Sequence, residues 1–185
     1  MALGTFLIAL GLACRLVPHP LNFVPMAAIA LYGAARLPGK MAWCVPIAAM
    51  ALSDLYLNAG RGYFPGVTAV TLVSYATLAV IALLGGRLNR DANPATRAAA
   101  SLAGSTLFFL TTNCAVWAAQ RGAGVGLNYG EGLPGLLESY TAALPFFGNA
   151  LAADLAGTAA LFGGEALARR LGWLPSATPA VSEAV

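Results

Sequence analysis

Long apolar runs alternate with short breaks rich in proline, glycine and arginine along this chain. The first run, 5–17, stops at Pro18-His19-Pro20, because a residue before proline is pushed out of helical geometry. A second run, 22–37, carries Pro25 in its first turn, where a missing N–H costs little, and ends at Pro38-Gly39. A third, 41–57, holds Pro46 and should bend there. The stretch 58–66 reads as a loop from its glycine and proline content. A fourth run follows at 67–86, and a fifth at 98–119 lies beyond the most hydrophilic stretch, 87–97. The segment 121–134 is Gly-rich and reads as a loop. Pro145 and Gly148 interrupt the last apolar material, predicting a short helix at 135–144 and then a sixth span at 146–168. Every run is continuously apolar and too long for the ten-residue alternation of a membrane barrel, so the elements are helices.

Composition turns these helices into membrane spans. Of 185 residues, 59 % are hydrophobic and 9 % charged, where a soluble domain carries about 25 % charge. Too few charges remain to cover a surface facing water. Six crossings at about 20 residues each fit this length, leaving short loops. The two opening runs are short, since 13 helical residues cover only about 20 Å, and four or five crossings is the alternative count. The 21 glycines suit helices that pack closely in lipid. The expectation is one all-α integral membrane domain over 1–172 and a flexible tail at 173–185. Residues 1–14 end in Gly11-Leu-Ala-Cys14, but no Lys or Arg precedes the run, so no cleaved signal is expected.

Net charge is +3, with the basic residues in the breaks. That concerns topology rather than nucleic acid. With both termini inside, the inner segments carry Arg36, Lys40, Arg87, Arg90, Arg97, Arg169 and Arg170, and the outer ones Arg15, Arg61 and Arg121. This follows the positive-inside rule. It also gathers Arg15, His19, Asn22, Asp54, Asn58, Asn113, Trp117, Glu131, Glu138, Tyr140 and Asn149 toward the outer side. Polar groups at membrane depth usually face a cavity or a partner. A ligand pocket open to the outside is therefore expected.

Asp54, alone in an apolar run, should pair with Arg15; the pair either serves the pocket or only locks the first and third helices. Asp154, deeper in the last span, is a candidate to pair with Arg15, to accept from Asn113 or to carry protons. His19 reads first as an interfacial loop residue, and one histidine makes no structural metal site. Trp117 and Tyr140 suit either ligand stacking or the membrane interface. Cys14, Cys44 and Cys114 form no CxxC pair and read as small buried hydrophobes, with Cys114 a candidate to face the pocket. Thr5, Ala9 and Ala13, spaced by four, form a small-residue ridge for close packing, either within the chain or against a membrane partner.

No phosphate-binding glycine loop, Ser-His-Asp order or HExxH occurs. Neither an enzyme nor a bound cofactor or metal is expected, and His19 with Asp54 is the only pair to offer a lipid-directed chemistry.

Four stretches, in order, resemble an uncharacterised family of bacterial membrane proteins: Arg15-Leu-Val-Pro-His-Pro-Leu-Asn-Phe-Val-Pro-Met-Ala-Ala-Ile-Ala-Leu-Tyr-Gly33; Val45-Pro-Ile-Ala-Ala-Met-Ala-Leu-Ser-Asp54; Thr112-Asn-Cys-Ala-Val-Trp117; and Gly135-Leu-Leu-Glu-Ser-Tyr140 with Ala143-Leu-Pro-Phe-Phe-Gly-Asn149 and Asp154. That family is itself similar to the substrate-binding S components of energy-coupling factor (ECF) vitamin transporters. The resemblance implies six helices, both termini cytoplasmic, a multi-pass place in the bacterial inner membrane and a ligand pocket on the outer side. It also implies that Ala9 and Ala13 dock a transmembrane coupling subunit that works with ATPases. The sequence departs from the family at Cys114, where an aromatic or small residue is expected, and at Gly148, where a basic one is. A related group of solitary S-component-like proteins handles cobalamin through a cysteine near the cobalt, which maps onto none of the three cysteines here. The leading expectation is vitamin-like solute transport, with Arg15, His19, Asn22, Asp54, Asn113, Trp117, Tyr140 and Asn149 lining or supporting the pocket. The alternative is a structural or assembly subunit of a membrane complex, its polar residues serving as internal ties.

Overall fold

A computed structural model describes residues 2–59, 68–88, 92–123 and 129–175, with 120–123 as backbone only. Most of the predicted 58–66 loop, Arg61, Arg90, the side chain of Arg121 and the tail beyond 175 lie outside the described residues. Among the described residues all regular structure is helical. The order is α1 (Ala2–Leu16), α2 (Met26–Arg36), α3 (Met41–Ala59), α4 (Ala69–Gly86), α5 (Pro94–Ala123) and α6 (Gly132–Arg170). The helices α3, α4, α5 and α6 are long and apolar enough to cross a membrane.

The helix ends follow from local chemistry. Thr68 caps α4, its Oγ1 accepting Thr71 N–H at 3.2 Å while Thr68 N–H donates to Thr71 Oγ1. Asn93 Oδ1 accepts Thr96 N–H at 2.8 Å, and Pro94 takes the first helical position. That cap starts α5 four residues before the predicted 98–119 span, and its last turns absorb the beginning of the predicted 121–134 loop. The predicted break near residue 145 does not occur: α6 runs unbroken through Pro145. One proline removes a single backbone donor, and here it sits on the exposed side of the helix.

The short α2 is the centre of the fold. Met26 to Ala34 are all buried, and the other five helices pack around it. A helix apolar on every side belongs inside. Its 11 residues span about 16 Å, far short of a bilayer, which its neighbours make tolerable by shielding it. They come very close: a Cβ on Gly85 would stand 2.4 Å from Leu31 O, and one on Gly157 would stand 2.6 Å from Pro25 Cβ.

Successive helices alternate in direction. Gly4 of α1 meets Met41 of α3 at the end where Arg36 of α2 bonds Glu165 of α6. This basic end also carries Lys40, Arg87, Arg97, Arg169 and Arg170. The turn 17–25 and the C-terminal parts of α3 and α5 lie at the other end. Large apolar side chains such as Phe6, Leu52, Leu72, Leu83, Leu102, Leu144 and Leu167 are exposed around the outside. Such a surface suits hydrocarbon rather than water.

Candidate functional site

A cavity of about 390 Å³ opens chiefly between α2, α5 and α6, with one residue each from α1, α3 and α4, away from the basic end. Its walls mix apolar and polar groups. Phe108, Phe109, Phe146 and Phe147 supply aromatic surface, with Met26, Met50, Val24 and Val116 beside them. Ser74, Ser105, Thr112 and Asn113 supply uncharged polar groups, and Asn22 and Arg15 stand toward the turn. Asp154 also lines the cavity, although its side chain is buried.

Phe109 is held by neighbours on α6, its ring centroid 4.5 Å from that of Phe147 and 5.7 Å from that of Tyr140. Asn113 Nδ2 donates to Phe109 O at 2.8 Å, which leaves its carbonyl oxygen to accept from an occupant. Asn22 has φ +60°, a left-handed conformation that asparagine tolerates well, and it ends the turn that leads into α2.

The expected Arg15–Asp54 pair is present. Arg15 Nη2 bonds Asp54 Oδ1, Nη1 lies 2.9 Å from Met50 Sδ, and Tyr75 donates to Asp54 Oδ2 at 2.9 Å. Arg15 reaches the cavity wall with its charge already balanced, and Asp54 stands behind it rather than lining the space.

Asp154 makes neither of its expected contacts. Its Oδ1 accepts Ala28 N–H at 3.1 Å, and its Oδ2 lies 2.7 Å from Ser105 Oγ. The reason lies at the start of α2. Pro25, at the cap position, makes no side-chain cap bond, so the free N–H groups of that helix look to α6 for an acceptor.

Several other expected pocket residues do not themselves line the cavity. His19 sits in the exposed turn, its Nδ1 2.7 Å from Pro20 O, and does not line the cavity. Trp117 Nε1 donates to Gly130 O at 3.2 Å and ties α5 to the segment before α6. Tyr140 donates to Leu110 O at 3.0 Å, and Asn149 Nδ2 donates to Leu21 O at 3.0 Å. Tyr140 backs Phe109, and Asn149 fixes the 17–25 turn. Cys44 is exposed on α3 rather than buried; Cys14 and Cys114 are half-buried, and Cys114 is not part of the cavity wall. Among the described residues, no three metal-ligating side chains converge.

The aromatic wall, Thr112, Ser74 and Ser105 escaped the sequence reading. One signal was available: Ser101, Ser105, Phe109 and Asn113 recur every fourth residue, which puts them on one face of α5.

Against known families, the whole stretch 1–177 matches the model of a family described only as "Family of unknown function (DUF6580)". The chain belongs to the DUF6580 family. No curated protein and no solved structure matches it. In this DUF6580 member the cavity and its lining are therefore the main guide to function.

Proposed function

We propose that this protein is a small-solute membrane transporter of the substrate-binding, S-component-like kind. In this reading six helices form a bundle in a bacterial inner membrane, with both termini cytoplasmic and the solute captured from outside. The carrying observation is the cavity of about 390 Å³. Its volume falls in the range of small-ligand sites, about 300–1,000 Å³. Its place also fits, since it opens away from the basic end that the positive-inside rule assigns to the cytoplasm.

The walls describe the solute. Arg15 has its charge balanced by Asp54, Asp154 at the floor is taken up by the Ala28 N–H and the Ser105 hydroxyl, and the other lining groups are aromatic, aliphatic or neutral polar. A vitamin-sized molecule with a flat apolar body and an uncharged polar end suits them. Phe109 would stack on the body and Asn113 would read the polar end.

Thermal-shift screening of the purified protein against vitamins and neutral metabolites tests this, together with uptake by cells lacking the gene. A ligand at a hundred times its Kd stabilises by about 2.7 kcal/mol. Stabilisation is expected for wild type and should be lost in Ala150→Phe, since Ala150 of α6 lines the cavity and a phenyl ring there would fill it. No stabilising solute and no change in uptake would overturn the proposal.

A second reading has its own support. Gly4, Leu7 and Gly11 of α1 face the protein, which leaves Thr5, Ala9 and Ala13 exposed on the other side. Such a face suits a membrane partner, either an ECF-type coupling subunit with its ATPases or a complex in which this chain is only an assembly subunit. Co-purification separates the two: a stoichiometric partner without any transport component favours assembly.

A further inference from the structure

The floor of the cavity holds a carboxyl group with unusual company. Asp154 is 4 % exposed, and its partners are the Ala28 N–H and the Ser105 hydroxyl, both neutral. Among the described residues its carboxylate enters no salt bridge. The N-terminus of α2 contributes about half a positive charge, which offsets a full negative charge only in part. A buried carboxylate without a cation commonly takes up a proton instead.

Ser105 shows how the proton is accommodated. Its Oγ lies 2.7 Å from Asp154 Oδ2 and 3.0 Å from Ser101 O. One hydroxyl hydrogen cannot serve both acceptors at full strength. Both contacts are made at once when Oδ2 carries a proton: Asp154 donates to Ser105, and Ser105 donates to Ser101 O. When the proton leaves, Ser105 turns its hydrogen toward Oδ2. The two states differ by one hydroxyl rotation, and Oδ1 keeps its bond to Ala28 in each.

A second feature points the same way. Helices α5 and α6 run antiparallel, with Ser105 against Asp154 and, two turns on, Arg97 over the Phe162 ring at 4.7 Å. Midway between stand Ser101 and Thr158, 0 % and 4 % exposed, and neither hydroxyl has a hydrogen-bond partner among the described residues. Hydroxyls are rarely left unpaired in a core. These two extend the polar line from Asp154 toward the basic end.

We propose that Asp154 is a reversible proton-binding site at the floor of the cavity. The proton arrives from cavity water and adds to Oδ2. On release the proton returns to cavity water, and the Ser105 hydroxyl hydrogen turns to the ionised Oδ2. Other charged groups stand apart: Arg15 is engaged with Asp54 of α3 and through it with Tyr75 of α4, α2 offers only backbone at this level, and Arg97 and Glu165 lie further along α5 and α6. The proposal needs no solute and stands or falls separately from the transport reading.

Infrared titration of the purified protein in lipid nanodiscs tests it. Wild type should show the carbonyl band of a protonated, hydrogen-bonded carboxyl that disappears as pH rises. Asp154→Asn, whose amide can accept from Ala28 and donate to Ser105, should fold and lose that band. Asp54→Asn and Glu165→Gln should keep it. Ser105→Ala should displace the midpoint, because the ionised form loses its side-chain donor, whereas a merely structural serine would leave it unmoved. Identical spectra for wild type and Asp154→Asn at every pH would overturn the proposal.

Discussion

Two acidic residues of α6, about three turns apart, are treated in opposite ways. Glu165 lies at the basic end, its Oε2 2.6 Å from Arg36 Nε and its Oε1 2.9 Å from Arg169 Nη2. Arg36 stacks in turn on the Phe162 ring, 5.2 Å from its centroid. Asp154 faces the cavity and has only neutral donors. Glu165 is a latch: its charge is matched, and it joins the last turn of α2 to the last turns of α6. Asp154 joins the first turn of α2 to the same helix without matching charge. Both fasten the central helix, but only one leaves a titratable group beside a space where a ligand can sit.

Substitutions test that contrast, beginning with the largest effect. Glu165→Ala should destabilise the protein by about 3–5 kcal/mol, since it strands two guanidinium groups around a largely buried site. Detergent-unfolding titrations would read this, and a loss below about 1 kcal/mol would mean that the cluster is not a latch. Gly157→Ala should cost about 1–3 kcal/mol by forcing α6 away from Pro25 and Ala28. The cavity between these helices should change with it, so solute-induced stabilisation should fall as well. Asp154→Ala removes the acceptor for the first turn of α2 and should cost about 1–2 kcal/mol, while Asp154→Asn keeps that bond and should cost less than about 1 kcal/mol. If Asn proves as damaging as Ala, Asp154 is held as an ion. Tyr75→Phe is the mildest, about 1 kcal/mol from one lost bond to Asp54, and should leave solute binding intact because the pair stands behind the cavity wall.

Much of the fold could be read in the sequence because membrane helices announce themselves by length and apolarity. Five of the six elements fell near their predicted places, and the Arg15–Asp54 pair followed from a single carboxylate in an apolar run. The miss at Pro145 has a local cause: a proline on an exposed helix face removes one donor and need not end the helix. The site was less legible. Trp117, Tyr140 and Asn149 have pocket chemistry, yet each donates to a backbone carbonyl of another segment and works as a tie. Side-chain type does not reveal whether a donor is already used. The two contacts expected of Asp154 failed for a related reason: one of its actual partners is a backbone N–H at the uncapped start of α2, and no pattern of side chains reports that.

The most direct test of the account asks which side of the membrane the cavity opens to, and whether a solute fills it. In a background where Cys14, Cys44 and Cys114 are replaced by alanine, Asn22→Cys at the cavity and Lys40→Cys at the basic end would each be exposed to a membrane-impermeant maleimide in intact cells. Asn22→Cys should label from outside, and a stabilising solute from the screen should protect it. Lys40→Cys should label only after permeabilisation. Labelling of Lys40→Cys from outside, with Asn22→Cys silent until the membrane is opened, would contradict capture from the outer side.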